Sequence, residues 1–357
     1  MDRDRPLRLE VLINSPGPHD QVRMREPFRA LQAKGIDCRL HERPFRLGQC
    51  IRPHSMVIWQ RPLPETWTLR LEQLRWMRER GCLLLTEWDD HPSLFSDAIQ
   101  ARLKELHQAP LTLCHALHSS TPALCTALRA FNPISLAFDN GVPWIPPFDA
   151  ERHQPSGTFR VLLGNQNRYL EHRHLKQALI QWIQTNPNVQ LVVIGDPSLA
   201  NQLRAVGDQH QLIQLPLLDY YEYRSVMRQC HLSLLPLLPS LGNRCKTVIK
   251  WVECAAESVV CIAGPELYGS VIDGRNGLLV KTLDELIPTA QRLLEASRER
   301  QMIAQQAHHQ VTRQWQLFQL LPNRLWLYQQ LWRKRAAVDR ALLQRWPEAA
   351  TETPFPL

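Results

Sequence analysis

The chain has 357 residues, 44% of them hydrophobic and 21% charged, with a formal net charge of +8. This length and composition predict a globular protein of two ordinary domains. The first ten residues lack the apolar run of a signal peptide. No stretch approaches the roughly 18 apolar residues of a membrane span, so we expect a cytoplasmic protein.

The nine cysteines are odd in number and irregularly spaced, without a C-x-x-C pair. This pattern favours small buried thiols over a disulfide framework or a zinc cluster. The 14 histidines are scattered, and their few close pairs have no third ligand nearby. We therefore expect no metal site.

Short apolar runs alternate with amphipathic stretches along the first 140 residues. Continuous apolar strands separated by helices predict a parallel sheet covered on both faces. The predicted strands are 8–14, 37–42, 56–61, 82–88, 110–117 and 134–140, and the predicted helices lie near 22–34, 67–80, 95–107 and 121–130.

The alternation resumes after residue 158 and predicts a second doubly wound domain. Its predicted strands are 159–165, 190–196, 212–215, 231–237, 259–264 and 277–280, with helices near 173–185, 199–208, 220–229, 246–257 and 283–296. Prolines in the intervening stretch forbid regular structure. The predicted organisation is a domain at 1–145, a Pro-rich linker at 146–158, a second domain at 159–305, and C-terminal helices at 306–357 that pack back on the first domain.

Familiar ligand-binding motifs are missing after the predicted strands, where open parallel sheets bind ligands. The chain contains no G-x-G-x-x-G, no G-x-x-x-x-G-K-[ST] and no G-x-S-x-G. These absences argue against a dehydrogenase-type dinucleotide site, a P-loop and an α/β-hydrolase nucleophile.

The segment NRCKTVIKWVECAAE, residues 243–257, follows a predicted strand and is predicted to be helical from Cys245. The amides at a helix N-terminus attract phosphate, and Lys246 would add a full charge. Glu253 lies seven residues later, within about 20° of the same face and about 10 Å along the axis, where its carboxylate could accept hydrogen bonds from both ribose hydroxyls. The alternative is a solvated stripe of charge pairs.

This segment and IDGRNGLLV, residues 272–280, resemble the GT-B glycosyltransferases of the retaining, GT4-like family, whose members carry a lysine-bearing segment followed by a glutamate-bearing helix. LLGNQNR, residues 162–168, resembles the first strand and loop of the family's nucleotide domain. The resemblance implies an α/β fold of two Rossmann-like doubly wound domains facing a cleft, with C-terminal helices.

The resemblance also implies a donor site on the second domain, with a nucleotide-sugar as substrate and no cofactor. Arg168 is the candidate for the donor phosphate. The remaining donor-binding candidates are Asn165, Asn243, Lys246 and Glu253. Cys245 stands where many members have the first glutamate of an E-x7-E pattern. The chain resembles a branch of the family that replaces this glutamate and keeps the lysine that follows it.

The first domain carries the candidates for the acceptor. Asp89 and Asp90 follow a buried strand and could hold an acceptor hydroxyl or take its proton. The alternative is helix capping by Asp90 or Ser93. The acceptor-side candidates are Arg23, and Gln60 and Arg61 after the third strand. The surroundings of Arg23 resemble a YR..P segment, but this residue could equally be a surface arginine.

The function implied is metal-independent transfer of a sugar, with retention, from a nucleotide-sugar to the hydroxyl of a glycan, lipid or small molecule in surface polysaccharide or glycolipid synthesis. Asp89, Asp90 and Lys246 are the catalytic candidates. The alternatives are a nucleotide-sugar epimerase of the same fold and a catalytically degenerate binding protein.

The C-terminal region is basic, since residues 292–346 carry ten Lys or Arg against three Asp or Glu. Residues 322–335 predict an amphipathic helix. Its apolar face comprises Leu321, Leu325, Tyr328 and Trp332, with Arg324, Arg333, Lys334 and Arg335 outside it. We expect it to pack on the first domain. Peripheral contact with the inner face of the membrane is the next expectation, and nucleic acid is not expected.

Overall fold

The computed structural model describes residues 5–63, 69–154, 157–164, 168–204, 209–265 and 269–350. The chain divides into two compact units. The first unit is built from Met1–Asn140, Cys245–Thr247 and Leu317–Leu357, and the second from Gly141–Arg244 and Val248–Gln316. Within the described residues, no helix is both long and apolar enough to cross a membrane.

The first unit is a parallel sheet with its strands in the order β2-β1-β3-β4-β5-β6. Every residue of β3 and β4 is buried, because helices cover both faces. The strands are β1 (Arg8–Ile13), β2 (Asp37–Glu42), β3 (Met56–Gln60), β4 (Leu83–Trp88), β5 (Ala116–Ser119) and β6 (Ser135–Ala137). The helices that precede the second unit are α1 (Glu26–Ala33), α2 (Leu47–Cys50), α3 (Leu71–Glu79), α4 (Asp97–Glu105), α5 (Ala109–Thr112) and α6 (Pro122–Leu128).

One predicted strand of the first unit is partly wrong. Residues 110–117 begin as helix α5, and β5 begins only at Ala116. Pro110 stands in the first turn of α5, where its missing N–H costs nothing. An apolar run of this length suits a short buried helix as well as a strand.

The second unit is a parallel sheet in the order β12-β11-β10-β7-β8-β9. Its strands are β7 (Phe159–Leu163), β8 (Val189–Ile194), β9 (Leu212–Leu215), β10 (Leu232–Leu237), β11 (Val260–Pro265) and β12 (Leu278–Leu279). Its helices are α7 (Tyr169–Thr185), α8 (Pro197–Arg204), α9 (Tyr220–Met227), α10 (Leu241–Arg244), α11 (Ile249–Ala256), α12 (Leu286–Glu295) and α13 (Ser297–Gln314). Two parallel sheets with covering helices confirm the predicted α/β class.

Two further helices, α14 (Leu317–Arg333) and α15 (Arg335–Arg345), belong to the first unit. α14 packs on the sheet face that α1 also covers, where Tyr328 stacks on Phe28 with ring centroids 6.1 Å apart. Leu342 of α15 lies in the core on the opposite face. The end of the chain therefore completes both hydrophobic layers of the first unit.

The proline-rich stretch packs within the second unit. Trp144 stacks on Arg224, whose Cζ atom lies 3.6 Å from the ring centroid. His308 Nε2 hydrogen bonds to the carbonyl oxygen of Pro146 at 2.8 Å. A 3₁₀ turn follows at Glu151–His153.

Candidate functional site

The strand order of the first sheet reverses between β1 and β3, and open α/β sheets bind ligands beyond the carboxyl ends of the strands at such a reversal. Gln60, Glu87 and His118 are register partners on β3, β4 and β5, so their side chains point to the same face. All three are buried. Glu87 Oε2 and His118 Nδ1 have no hydrogen-bond partner among the described residues. Two buried polar atoms near the carboxyl ends of these strands therefore lack a protein partner among the described residues.

Arg23 joins this polar row from the π-helical turn Gln21–Arg25 between β1 and α1. It is 4% exposed and forms ion pairs with Asp89 and, at 3.6 Å, with Glu87 Oε1. Its carbonyl oxygen accepts a hydrogen bond from Arg324 at 3.2 Å. Arg23 is therefore not a surface arginine, and its charge is paired with the carboxylates of Asp89 and Glu87.

Arg324 is a correction to the sequence analysis, which placed it outside the apolar face of its helix. The residue is buried in α14 and also donates to the carbonyl oxygen of Asp139 at 3.5 Å. Position 324 is three residues after Leu321 and four before Tyr328, so helical spacing could have assigned it to the buried face. Burial and the charges of Arg324 and Arg23 lower the pKa of His118 well below its usual value. His118 is therefore neutral.

Arg61 links the two candidate carboxylates that follow β4. Its guanidinium donates to Asp89 and, at 3.1 Å, to Asp90 Oδ2. The backbone of Arg61 has a φ of 39°, in the left-handed region that residues other than glycine rarely occupy. Burial and the nearby charge of Arg23 lower the pKa of Arg61 to about 10, which leaves it charged at neutral pH.

Lys246 lies in this same cluster, with its Nζ 2.6 Å from Asp90 Oδ1. Burial opposes ionisation of Asp90, but the charges of Lys246 and Arg61 outweigh it and lower the pKa of the carboxyl. The structure thus brings together six of the candidates predicted from sequence. They are Arg23, Gln60, Arg61, Asp89, Asp90 and Lys246.

The predicted helix position of Lys246 is wrong. α11 begins at Ile249, and Cys245–Thr247 form a short connection that belongs to the first unit. The hydroxyl of Thr121 donates to the carbonyl oxygen of Cys245 at 2.8 Å, and the Cys245 side chain is buried in the first unit's core. These tertiary contacts hold the backbone out of the helix, so Lys246 and Glu253 do not share a helix face.

Capping does not explain Asp90. The 3₁₀ turn Pro92–Leu94 is capped by His91, whose Nδ1 accepts from the Ser93 amide at 3.2 Å. The carboxylates of Asp89 and Asp90 are instead engaged by cationic side chains. Within the described residues, no group of three His, Cys, Asp or Glu side chains is arranged to hold a metal ion.

His19 is a residue that the sequence analysis missed. It follows β1 in the 3₁₀ turn Pro18–Asp20, which directly precedes the π-helical turn, and is solvent-exposed. Surrounding protein and the charges of Arg23 and Arg61 nevertheless lower its pKa. Its position two residues after Gly17, in a loop beyond a strand end, was the available signal. A neutral imidazole therefore stands beside the charged cluster.

The second sheet reverses its order between β7 and β10. Gly164, directly after β7, lies against Tyr223, and a Cβ at this position would stand 2.8 Å from the tyrosine Cε2. Asn165 lies outside the described residues. Arg168 directly precedes α7 and is partly buried. The close approach of Gly164 to an aromatic ring requires a residue without a side chain.

Glu253 lies on α11 and is 3% exposed. Its Oε2 accepts from Lys250 Nζ at 3.2 Å, and this ammonium lies 4.2 Å from the centroid of the Tyr223 ring. Burial and the charge of Glu253 raise the pKa of Tyr223 well above its usual value. Sequence reasoning missed Tyr223, whose only signal was its place on a predicted helix. A buried carboxylate thus lies close to the loop after β7.

Asn243 lies on α10, beyond the carboxyl end of β10. Its Nδ2 donates to the carbonyl oxygen of Leu238 at 2.8 Å, while its buried Oδ1 has no hydrogen-bond partner among the described residues. The Leu238 amide donates to Glu171 Oε1 at 3.2 Å, which ties this loop to the first turn of α7. These bonds therefore fix the loop after β10, and the Asn243 Oδ1 atom is left without a protein partner among the described residues.

No family model and no curated protein matches this chain. Solved structures of other proteins share its fold. HepE from Anabaena, in complex with UDP and glucose, superposes with a TM-score of 0.61 at 15% identity, over 89% of this chain and 98% of HepE. A glycosyltransferase from Rickettsia africae gives 0.61 at 10% identity, over 92% and 99% of the two chains. The α,α-trehalose 6-phosphate synthase of Burkholderia multivorans gives 0.51 at 14% identity, over 87% and 75%.

At these identities the likeness concerns the fold. The chain has the GT-B architecture of two Rossmann-like domains that these proteins share, as the sequence predicted.

Proposed function

We propose that this chain is a retaining, GT4-like glycosyltransferase that moves a sugar from a nucleotide-sugar to an acceptor hydroxyl. The observation that carries the proposal is that each parallel sheet reverses its strand order and has charged side chains at the reversal. Its fold is shared with HepE, whose solved structure contains UDP and glucose. The acceptor belongs to a surface polysaccharide or glycolipid.

The second unit binds the donor in this proposal. Glu253 accepts hydrogen bonds from the ribose hydroxyls, and Lys250 offsets the cost of burying its charge. Asn243 offers its unpartnered Oδ1 to a hydroxyl of the donor. Arg168 and Asn165, in the loop between β7 and α7, contact the diphosphate.

The first unit binds the acceptor. Asp89 and Asp90 accept a hydrogen bond from its hydroxyl, while Arg23, Gln60 and Arg61 fix the carboxylates and the neighbouring loop. Because Lys246 and Arg61 lower the pKa of Asp90, this carboxylate stays ionised but is a weak base. The role of Asp90 is to orient the acceptor hydroxyl, and not to act as the sole base that removes the hydroxyl proton.

The reaction breaks the bond between the anomeric carbon and the diphosphate and forms one to the acceptor oxygen on the same face. The acceptor proton passes to the departing diphosphate, which is the stronger base in this arrangement. Negative charge grows on the diphosphate during this step. Lys246 and Arg168 stabilise that charge electrostatically, so the reaction needs no metal ion.

A thermal-shift screen tests donor binding. A ligand that binds only the folded state raises the melting temperature, so one nucleotide-sugar among UDP-, GDP- and ADP-sugars should stabilise the protein. Glu253→Ala should abolish that shift, whereas Lys281→Ala, which removes an exposed lysine of the same unit, should leave it intact.

Transfer itself is tested with the donor that binds. The expected product is a glycoside with the anomeric configuration of the donor, made in the presence of EDTA. An inverted product would contradict retention, and a requirement for a divalent ion would contradict the metal-independent mechanism. A stereoisomer of the nucleotide-sugar formed without acceptor would identify an epimerase instead.

A further inference from the structure

The outward side of α14 carries a stripe of exposed residues, which we call the α14 outer face and define as the apolar Phe318, Pro322 and Trp326 followed by the cationic Arg333. Phe318 is 56% exposed and Trp326 55% exposed. A spacing of four residues places Phe318, Pro322 and Trp326 on one side of the helix, over about 12 Å along its axis. Arg333 lies on the same side, about 10 Å farther along the axis. The opposite side is buried in the first unit, through Leu321, Tyr328 and Trp332 among others.

The segment that forms this face carries basic residues and no acidic ones. The sequence contains no Asp or Glu from Arg300 to Val338. Arg333 and the next residue, Lys334, are exposed. The first carboxylate beyond them, Asp339, is engaged by Arg78 at 2.6 Å and by His115 at 3.1 Å. The two exposed cations are therefore not neutralised by that carboxylate.

A single exposed aromatic residue is ordinary on a protein surface. Two large aromatic residues on one face, each more than half exposed and followed by paired cations, form a specific combination. Tryptophan is enriched at the level of lipid headgroups, and adjacent Lys and Arg are attracted to the anionic lipids of the cytoplasmic leaflet. A face that is already folded also loses no helix-forming entropy when it binds.

We propose that the α14 outer face docks the chain peripherally on an anionic membrane surface. Phe318 and Trp326 enter the headgroup region, and Arg333 and Lys334 contact lipid phosphates. Docking requires neither donor nor acceptor, so it is measured independently of glycosyl transfer and stands if the proposed activity fails.

Co-sedimentation with vesicles tests this surface. The full chain should bind vesicles containing phosphatidylglycerol, bind phosphatidylcholine vesicles far more weakly, and lose binding as salt is raised. Arg333→Gln with Lys334→Gln should lower the partition coefficient about 30-fold at low salt. Phe318→Gln with Trp326→Gln should lower it about tenfold or more, and Trp326→Phe should restore most of it.

Two control variants match these changes elsewhere on the surface. Arg102→Gln with Lys104→Gln removes two exposed cations from α4, and Met302→Gln removes an exposed apolar residue from α13. Both should bind like the unchanged protein. Equal loss in the controls, or full binding by the α14 variants, would overturn the proposal. Self-association that the aromatic variants abolish in sedimentation velocity would also overturn it, because the face would then bind a second copy.

Discussion

Lys246 Nζ lies 2.6 Å from Asp90 Oδ1, so two residues separated by 156 positions in the chain form one ion pair in the first unit. Sequence reasoning assigned the lysine to the donor phosphate and the aspartate to the acceptor. Their contact lowers the pKa of the Asp90 carboxyl. It also makes Lys246 the most informative single residue to change.

We expect Lys246→Ala to lower kcat by about 10²- to 10³-fold, because a charge that stabilises the departing diphosphate is lost. Lys246→Arg should retain part of the activity. Steady-state kinetics with saturating donor measures the effect, and Lys281→Ala is the control. Transfer at the normal rate by Lys246→Ala would remove this residue from the mechanism.

We expect Glu253→Gln to weaken binding of the free nucleotide about tenfold, since a neutral amide oxygen is a poorer acceptor for two ribose hydroxyls than a carboxylate. Titration calorimetry with the nucleoside diphosphate measures this change. The matched 2′-deoxy nucleotide should bind both proteins with similar affinity. A loss of the same size for the 2′-deoxy ligand would show that Glu253 acts elsewhere.

We expect the second unit to lose stability as the pH falls from 6.5 towards 4. Burial and the charge of Arg300 lower the pKa values of His153 and His231 to about 4 each. The unfolded chain binds these protons near pH 6.5 and the folded chain does not. Their contribution is therefore complete above pH 6.5 and is lost at about 1.4 kcal/mol per pH unit for each histidine.

Denaturant unfolding at a series of pH values measures this slope. His153→Gln with His231→Gln should flatten it, although the double variant is less stable at pH 7. His107→Gln, at an exposed position, should keep the original slope. An unchanged slope in the double variant would assign the pH dependence to other groups.

A fully buried ion pair in the second unit supports a stability prediction. Arg224 and Glu257 are paired with neither side chain exposed, and Glu257 also accepts from Arg228 Nε at 2.7 Å. Arg224→Met should lower the free energy of unfolding by about 3–5 kcal/mol, because it leaves part of a buried charge uncompensated. Adding Glu257→Met should recover part of that loss. If Glu257→Met instead lowered the free energy of unfolding of the Arg224→Met protein by a further amount of similar size, the proposed coupling between the two residues would be wrong.

Much of the fold could be predicted because buried parallel strands are continuous apolar runs. The predicted strand 212–215 coincides with β9, and the ends of β7, β8 and β10 were within two residues. The order of strands within each sheet could not be read from local patterns, since pairing depends on contacts distant in sequence.

The part of the site that could be predicted is the part formed by residues at the carboxyl ends of parallel strands, because these ends meet at one edge of the sheet. Arg61, Asp89 and Asp90 follow neighbouring strands, and the rule for parallel sheets placed them at one edge. The start of α11 was not predictable, because the contact between Thr121 and Cys245 that moves it comes from another part of the chain. The catalytic and binding roles of these residues stay predictions.

The first unit takes its last helices from the end of the chain, and this has a consequence for synthesis. Tyr328 and Trp332 are core residues of a sheet whose strands end by Ala137. At typical elongation rates, the ribosome needs roughly 10 to 40 s to supply the intervening residues. Throughout that interval one face of the nascent sheet lacks the part of its cover that α14 supplies, so folding factors that shield apolar surface should engage the N-terminal portion before α14 is synthesised.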